Sequence, residues 1–394
     1  MKGRPLSGVR VIDLSRVLAG PYCAMVLADL GADVVKVEPP GGDETRRWGP
    51  PFAGDTAAYF FSANRNKRSV VLDLKGEADQ LRLGRLVAQA DVVVHNYTDR
   101  VSAQLGIDHR WLTEHNPECV VCRISGFGET SNRPAYDLVL QAASGLMSIT
   151  GQPGGEPTKV GVAVADVVAG LFAAVGVLAQ LYARRDGVRE RQVDVSLLDS
   201  ALALLVNQGA SWLAGGDEPE RLGNDHPTIV PYGLFAAGEG QIVLAVGNDR
   251  QFGALCTVLG APDLGRDDRF ASNPQRVGHR AELRQILETL LASAPAEDWR
   301  QRLELAGVPC GRVETVGEAL SGVGSHLVRW MPTPDGAEQG QVMNPLRLDG
   351  EYLPPYRPAP SLGQHTGELP GTGPDESGGM RSRARSGVGP PPST

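Results

Sequence analysis

The chain has 394 residues, of which 41% are hydrophobic and 5% aromatic, and its formal net charge is -8 at pH 7. The length favours two domains, the apolar fraction is sufficient for a folded core, and the acidic balance excludes an overall electrostatic footprint for nucleic acid. No apolar run approaches the ~20 residues that span a bilayer, and the N-terminus has no hydrophobic signal core. We therefore expect a cytoplasmic protein without a membrane partner, whose five cysteines are reduced thiols.

The segment from residue 10 to residue 51 has the pattern of one β-α-β unit. A strand is predicted at residues 9–14, a helix with Pro21 in its first turn ends at Gly31, and a second strand follows at residues 33–37. A Rossmann dinucleotide fingerprint would place G-x-G-x-x-G between the first strand and the helix, whereas this loop is SRVLAGP, with one glycine. The unit suggests a nucleotide-like ligand, and its loop argues against NAD or FAD.

Strands and helices continue to alternate up to about residue 200. Further strands are predicted at residues 69–72, 91–94 and 119–124, and helices at residues 79–89 and 142–147. A long small-residue helix is predicted at residues 167–185. A helix at residues 196–212 is apolar nearly all round, so we expect it to be buried. This alternation predicts an α/β fold with a Rossmann-like, doubly wound parallel sheet.

The second half of the chain has a different pattern. Strands are predicted at residues 232–235 and 241–245, and helices at residues 249–259, 280–293 and 296–306. This combination indicates a smaller α+β domain. The residues after 368 are mostly Gly, Pro, Ser and Arg, which predicts a disordered tail at residues 369–394.

An ordered set of short motifs runs along almost the whole chain. It includes RVLAGPYC from Arg16, LADLGADVVKVE from Leu27, GGDETRRWGPPF from Gly41, YDLVLQAASGLMSITG from Tyr136, DVSLLDSALA from Asp194 and LGQHT from Leu362. In this order the motifs resemble the family III CoA-transferases, the CaiB/BaiF family. Residues 223–232 lack the glycine-rich flap of the formyl-CoA transferases, so the pattern is closest to the succinate–hydroxymethylglutarate CoA-transferases.

The resemblance implies a domain organisation and an assembly. A large Rossmann-like, CoA-binding domain would cover residues 1–213, followed by a linker at 214–224 and the small α+β domain at 225–330. Residues 331–368 would return to the large domain. Two such subunits would form an interlocked-ring homodimer. CoA and acyl-CoA would be substrates, and no tightly bound cofactor or metal is expected.

The resemblance also implies a reaction and a nucleophile. CoA would move from an acyl-CoA, such as succinyl-CoA or another dicarboxylyl-CoA, to a carboxylic acid acceptor. Asp166, in the setting Gly161-x4-Asp166-x3-Gly170, would form an aspartyl anhydride and then an aspartyl-CoA thioester. Cap preferences alone favour an ordinary capping carboxylate directly before the long helix as the interpretation of Asp166, and the resemblance reverses that preference. There the free amides and the helix dipole should keep it ionised at neutral pH.

Further side chains are expected to surround this nucleophile. The resemblance assigns the acyl pocket to Arg16, Val17, Leu18, Trp48 and Tyr136, and CoA binding to Ala19, Lys75, Asn96 and Tyr97. Leu18 stands where formyl-CoA transferases have a glutamine, which disfavours formyl and oxalyl groups. Arg16, Arg46 and Arg47 are candidates to bind a distal carboxylate, and the sequence does not rank them.

Two alternative functions stay open at this point. An α-methylacyl-CoA racemase would carry a histidine at the position of Tyr136, and a phenol with a pKa of ~10 is a poor proton acceptor at neutral pH. A non-catalytic CoA-binding protein could keep the fold and the pocket without the chemistry. A nicotinamide oxidoreductase is disfavoured by the missing glycine fingerprint.

Overall fold

The computed structural model describes residues 4–128, 131–187, 191–333 and 336–368. The expected tail at residues 369–394 lies outside the described residues. The strands are β1 (Arg10–Asp13), β2 (Asp33–Glu38), β3 (Phe52–Ala53), β4 (Thr56–Ala57), β5 (Lys67–Val71), β6 (Val92–His95), β7 (Val120–Ser125), β8 (Gln192–Ser196), β9 (Tyr232–Ala236), β10 (Gln241–Ala245), β11 (Cys310–Gly311), β12 (Val328–Pro332), β13 (Glu338–Val342), β14 (Arg347–Leu348) and β15 (Glu351–Tyr352).

The helices, like the strands, are numbered along the chain. They are α1 (Ala19–Asp29), α2 (Ala58–Phe61), α3 (Glu77–Val87), α4 (Asp99–Gln104), α5 (His109–His115), α6 (Asp137–Ala143), α7 (Leu146–Ile149), α8 (Val164–Ala183), α9 (Leu197–Ala203), α10 (Val206–Leu213), α11 (Asp249–Val258), α12 (Asn273–Gly278), α13 (Arg280–Leu291), α14 (Ala296–Leu305) and α15 (Val316–Ser321). A 3-10 turn at Glu44–Arg47 follows β2 and forms part of the site described below.

A six-stranded parallel sheet forms the centre of the first half, in the order β5-β2-β1-β6-β7-β8. The predicted parallel sheet is therefore confirmed, and β8 extends it by a strand that the sequence did not predict. The order reverses at β1, whose neighbours are β2 on one side and β6 on the other. In doubly wound sheets, ligands bind outside the carboxyl ends of the strands at this reversal.

Both faces of the sheet are covered, so the central strands β1 and β6 are buried along nearly their whole length. Successive residues of a strand point to opposite faces, and accordingly Val11 lies in one core layer and Ile12 in the other. The first layer contains buried residues of α1 and α8, and the second contains those of α3 and α5. With the turn that follows it, α8 (Val164–Asp186) is long and apolar enough to cross a membrane by length and composition alone. Core helices of soluble proteins pass the same test, and one side of α8 is buried in this layer.

The second half contains the three-stranded antiparallel sheet β11-β10-β9, with its own core formed with α11, α13 and α14. The chain then returns to the first half. The N–H of His365 donates to the carbonyl oxygen of Ser69 (2.9 Å), and the N–H of Val71 donates to Thr366 Oγ1 (3.0 Å). The C-terminal segment therefore lies against β5, while the exact domain limits given above stay predictions.

Two predictions about helices are wrong. The single helix expected at residues 142–147 is replaced by α6 and α7, which meet at Gly145 with a φ of 86°. The buried helix expected at residues 196–212 is split into α9 and α10, and no residue of α10 is buried. Trp212 is 54% exposed and Leu213 is 79% exposed. Apolar composition indicates that a face needs a partner, but it does not say whether the partner is in the same chain.

Helices α1 and α8 pack closely against each other at Gly170. A Cβ added at Gly170 would lie 2.6 Å from the carbonyl oxygen of Ala19 and 3.3 Å from the amide nitrogen of Cys23. Both atoms belong to backbone, which cannot rotate away as a side chain can. Glycine at position 170 is therefore required by the separation of the two helices.

We expect Gly170→Ala to lower the free energy of unfolding by about 1–3 kcal/mol, since the added methyl group overpacks this contact. Chemical denaturation would measure the change. Gly253→Ala is the matched control, because that helical glycine has open space around its Cβ position. It should be neutral or stabilising by up to about 1 kcal/mol. Equal effects of the two substitutions would contradict the packing argument.

Candidate active site

A cleft of about 250 Å³ lies at the carboxyl ends of the strands, where the sheet order reverses. Its described lining consists of Arg16, Val17, Leu18, Ala19, Glu44, Asn96, Thr98, Ile124, Ser125, Gly126, Arg133, Pro134, Ala135, Tyr136, Asp166 and Leu197. The loop after β1, the loop after β6 and the start of α8 therefore meet in one place. This is the position that the strand order predicts for a ligand.

The structure brings most of the predicted site residues to this cleft. Seven of them line it: Arg16, Val17, Leu18, Ala19, Asn96, Tyr136 and Asp166. The Trp48 ring is 6.4 Å from the Tyr136 ring, and the Tyr97 ring is 5.9 Å from the Arg16 guanidinium. Lys75 does not line the cleft and is exposed between β5 and α3. Its assignment to CoA binding stays a prediction.

Asn96 fixes the loop that follows β1. Its side-chain oxygen accepts a hydrogen bond from the Arg16 N–H (2.9 Å), and its amide donates to the Arg16 carbonyl oxygen (2.8 Å). The next residue, Val17, has a φ of 69°, which is a strained conformation for a β-branched residue. The loop is thus held in one conformation by a side chain from the neighbouring strand end.

Buried charged residues on β1 and β5 also hold the loop that follows β1. Lys67 Nζ donates to Asp13 Oδ2 (2.9 Å), and Asp13 Oδ1 accepts from the Ser15 N–H (3.0 Å). Burial lowers the pKa of Lys67 to about 8. Burial alone would raise the pKa of Asp13, but the charges of Lys67 and Lys36 outweigh it and lower that pKa. Buried ions need this kind of complete pairing to be tolerated.

A second buried ion pair positions the 3-10 turn on the other side of the loop. Lys36 Nζ lies 3.0 Å from Asp43 Oδ2 and donates to the Ser15 carbonyl oxygen (2.9 Å). Asp43 in turn accepts from the Thr45 N–H (3.0 Å) and caps the turn. Lys36 therefore connects the β1 loop with the turn that carries Glu44.

Asp166 lies in the first turn of α8 rather than directly before the helix, and it is 9% exposed. The N–H of Ala165 donates to Asp137 Oδ1 (2.9 Å), and Gln141 Nε2 donates to Asp137 Oδ2 (2.6 Å). Asp137, not Asp166, therefore satisfies an amide at this helix end. Asp166 and Gly170 are four residues apart on one face of α8, so the contact at Gly170 turns Asp166 toward Leu18 and Ala19.

Burial raises the pKa of Asp166 to about 7, with a further contribution from the negative charge of Asp137. The expectation that the helix terminus keeps this carboxylate ionised is therefore contradicted, because burial and the charge of Asp137 both favour its neutral form. A buried carboxylate with few water neighbours is a stronger nucleophile than a hydrated one, and Asp166 lines the cleft. Covalent chemistry at Asp166 fits this environment.

Sequence reasoning did not select two charged residues of the cleft, Glu44 and Arg133. Glu44 belongs to the motif GGDETRRWGPPF, and Arg133 precedes Tyr136 by three positions. The only indication in the sequence was that each of them lies a few positions from a predicted site residue. Among the described residues, no group of three or more His, Cys, Asp or Glu side chains could hold a metal ion.

The chain is similar to known proteins along most of its length. The model of CoA-transferase family III matches residues 6–366. The chain is 41% identical to a succinate–glutarate CoA-transferase of Agrobacterium fabrum, over 93% of this chain and 94% of the relative. It is 40% identical to an acetyl-CoA:oxalate CoA-transferase of Acetobacter aceti, over 93% and 95%. A crystal structure of a CAIB/BAIF family protein from Brucella suis is 38% identical, with a TM-score of 0.81 over 92% of this chain and 98% of that one.

The raised pKa of Asp166 has a consequence for stability. Its folded-state pKa of about 7 exceeds the ordinary aspartate pKa of 3.8, so ionisation opposes folding, and the penalty grows as the pH rises between these values. We expect Asp166→Asn to stabilise the protein around pH 8, by up to about 4 kcal/mol, and to have little effect around pH 4. Denaturation of both proteins at the two pH values would measure this. A difference that does not depend on pH would contradict it.

Proposed function

The chain belongs to CoA-transferase family III, and from that premise we propose that it moves CoA from a dicarboxylyl-CoA, such as succinyl-CoA, to a carboxylic acid acceptor, with Asp166 as the nucleophile. The observation that supports this best is the buried carboxylate of Asp166, which lies in the first turn of α8 and lines the cleft together with Leu18. CoA thioesters are the substrates of this family, so the cleft would receive the acyl end of the thioester.

The proposed reaction has two symmetrical halves. A carboxylate oxygen of Asp166 attacks the thioester carbonyl, the C–S bond breaks, and a mixed anhydride forms with release of CoA thiolate. The thiolate then attacks the Asp166 carbonyl carbon, which gives an aspartyl-CoA thioester and releases the donor acid. The acceptor carboxylate attacks that thioester, forming a second anhydride and freeing the thiolate. The thiolate finally takes the new acyl group and returns Asp166 to its carboxylate form.

The environment of Asp166 suits these intermediates. An anhydride is destroyed by water, and a nearly buried position limits the access of water to it. No redox or net proton change occurs over the cycle, since one thioester and one carboxylate are exchanged for another pair. The side chain of Leu18 beside Asp166 adds apolar surface at the acyl end of the cleft.

Dicarboxylates are the acids we propose. The A. fabrum relative is named for succinate and glutarate, and the A. aceti relative for acetyl-CoA and oxalate. A racemase would need a proton acceptor paired with Asp166 across the substrate. None of the described residues that line the cleft is a histidine, and Tyr136 occupies the position where the racemases have one. Transfer is therefore the better-supported chemistry.

We also propose that a second copy of the chain completes the site in a cytoplasmic homodimer. The cleft of about 250 Å³ is below the roughly 300–1,000 Å³ typical of ligand pockets. Large apolar side chains on the outer face of α8 and on α10 are exposed, among them Phe172, Val175, Trp212 and Leu213. A second copy of the chain would cover exposed apolar side chains of this kind.

We expect the protein to form glutaryl-CoA from succinyl-CoA and glutarate, detected by mass. Asp166→Ala should reduce the rate by at least about a thousandfold, because the covalent route is lost. In the presence of succinyl-CoA, hydroxylamine should displace CoA from the aspartyl thioester and convert Asp166 to its hydroxamate, which is detected by mass. Asp199→Ala is the matched control, since Asp199 is exposed at the equivalent position of α9 and does not line the cleft. Full activity in Asp166→Ala would rule out this mechanism.

Light scattering should give about twice the chain mass of 41.8 kDa. Val175→Glu places a charge on the exposed face of α8 and should shift the protein toward monomer. Leu81→Glu is the control, because Leu81 is 59% exposed on α3, on the other side of the sheet. A monomeric wild-type protein would overturn the dimer, whereas dissociation by both substitutions alike would overturn the assignment of the interface to the exposed face of α8.

A further inference from the structure

The structure separates the three arginines that the sequence left unranked, and we propose that Arg16 binds the distal carboxylate of the dicarboxylate substrate, with Glu44 as its counter-ion in the free protein. This inference rests on the proposed transfer to dicarboxylates and names the residue that would recognise their second charge. It makes Arg16 a determinant of acid specificity at the Asp166 site.

Arg46 is already occupied. Its guanidinium is buried and donates to both oxygens of Glu38, at 2.8 and 2.6 Å, and to the carbonyl oxygen of Pro360. Arg47 is exposed and donates to the carbonyl oxygen of Gly41 (2.6 Å). Arg47 lines a different cavity, next to Asp55 and Thr56, and not the Asp166 cleft. Neither guanidinium is available to a substrate in that cleft.

Arg16 has the properties of a substrate-binding cation. It lines the cleft together with Asp166, and Asn96 fixes its backbone through two hydrogen bonds. Its guanidinium lies 3.8 Å from the Glu44 carboxylate, which is too long for a hydrogen bond, and its side chain is 51% exposed. A partly exposed ion pair of this length is weak and can be exchanged. A guanidinium can instead bind a substrate carboxylate through two parallel hydrogen bonds.

Glu44 balances the charge of Arg16 in the free protein. The 3-10 turn that carries it is capped by Asp43, which is held by buried Lys36. Glu44 is therefore fixed on the cleft wall, where its charge opposes that of an incoming dicarboxylate. The ion pair with Arg16 balances this charge in the free protein. When a dicarboxylate enters, Arg16 changes partner while Glu44 stays in place, so Glu44 limits the affinity that Arg16 provides.

Arg133 is the other guanidinium among the described lining residues. It lies 3.8 Å from the Phe127 ring, on which it stacks. Arg133 is exposed, and its backbone N–H donates to Ser131 Oγ at 3.3 Å. By contrast, Arg16 is held from two strand ends and faces a fixed acid. The geometry therefore favours Arg16, and Arg133 provides a direct comparison.

The test compares two acceptors of nearly equal size that differ in one charge, glutarate and monomethyl glutarate, with succinyl-CoA as donor. The measured quantity is the ratio of the two kcat/KM values. In a two-step exchange this ratio depends only on the half-reaction with the acceptor. Arg16→Gln should lower the ratio about tenfold or more, since a charge-assisted interaction is lost, and Arg16→Lys should retain part of it. Glu44→Gln should raise the ratio by about two- to fivefold.

Arg47→Gln is the matched control and should leave the ratio unchanged. Equal losses with both acceptors in Arg16→Gln would overturn the inference, since Arg16 would then support the loop or CoA. A fall in the ratio in Arg133→Gln, without one in Arg16→Gln, would also overturn it. Failure of the wild-type protein to transfer CoA to either acceptor would instead refute the proposed function on which the inference rests.

Discussion

The contact between α1 and α8 at Gly170 determines the geometry of the whole site. The Ala19 carbonyl oxygen approaches the α8 backbone so closely that no side chain fits at position 170. Asp166 lies one turn earlier on the same face, and it is therefore directed at the loop that α1 begins from. The spacing of four residues in the motif Asp166-Val-Val-Ala-Gly170 has a physical meaning. Asp166 carries the carboxylate, and Gly170 allows the close contact with α1 that directs this carboxylate toward the β1 loop.

Charge burial provides the second level of organisation. Lys36 and Lys67 are fully buried, and each is bonded to an acid and to a backbone carbonyl oxygen. Paired in this way, they fix the β1 loop and the 3-10 turn that bound the cleft, at a desolvation cost that apolar residues would not incur. The Asp166 carboxylate has a different environment. It is buried without a cationic partner among the described contacts, and its raised pKa reflects that.

The sequence predicted the elements whose signal is local. The first five strands of the parallel sheet, the helix at Ala19–Asp29 and the long helix that carries Asp166 were expected close to their observed limits. The meeting of Arg16 with Asn96 follows once the strand order is known. Other features depend on tertiary contacts. The ionisation of Asp166 depends on its burial and on the charge of Asp137. Trp212 is exposed because no other described part of the chain packs over it. The sequence did not indicate a role for Glu44, which the structure places 3.8 Å from the Arg16 guanidinium.

The C-terminal segment on β5 also affects how the molecule is made. β5 is the outer strand of the parallel sheet, and an uncovered outer strand is a template for pairing with other chains. The residues that cover it, His365 and Thr366, are almost three hundred positions further along the chain than Ser69 and Val71. During synthesis the sheet edge therefore remains open until nearly all of the chain has left the ribosome.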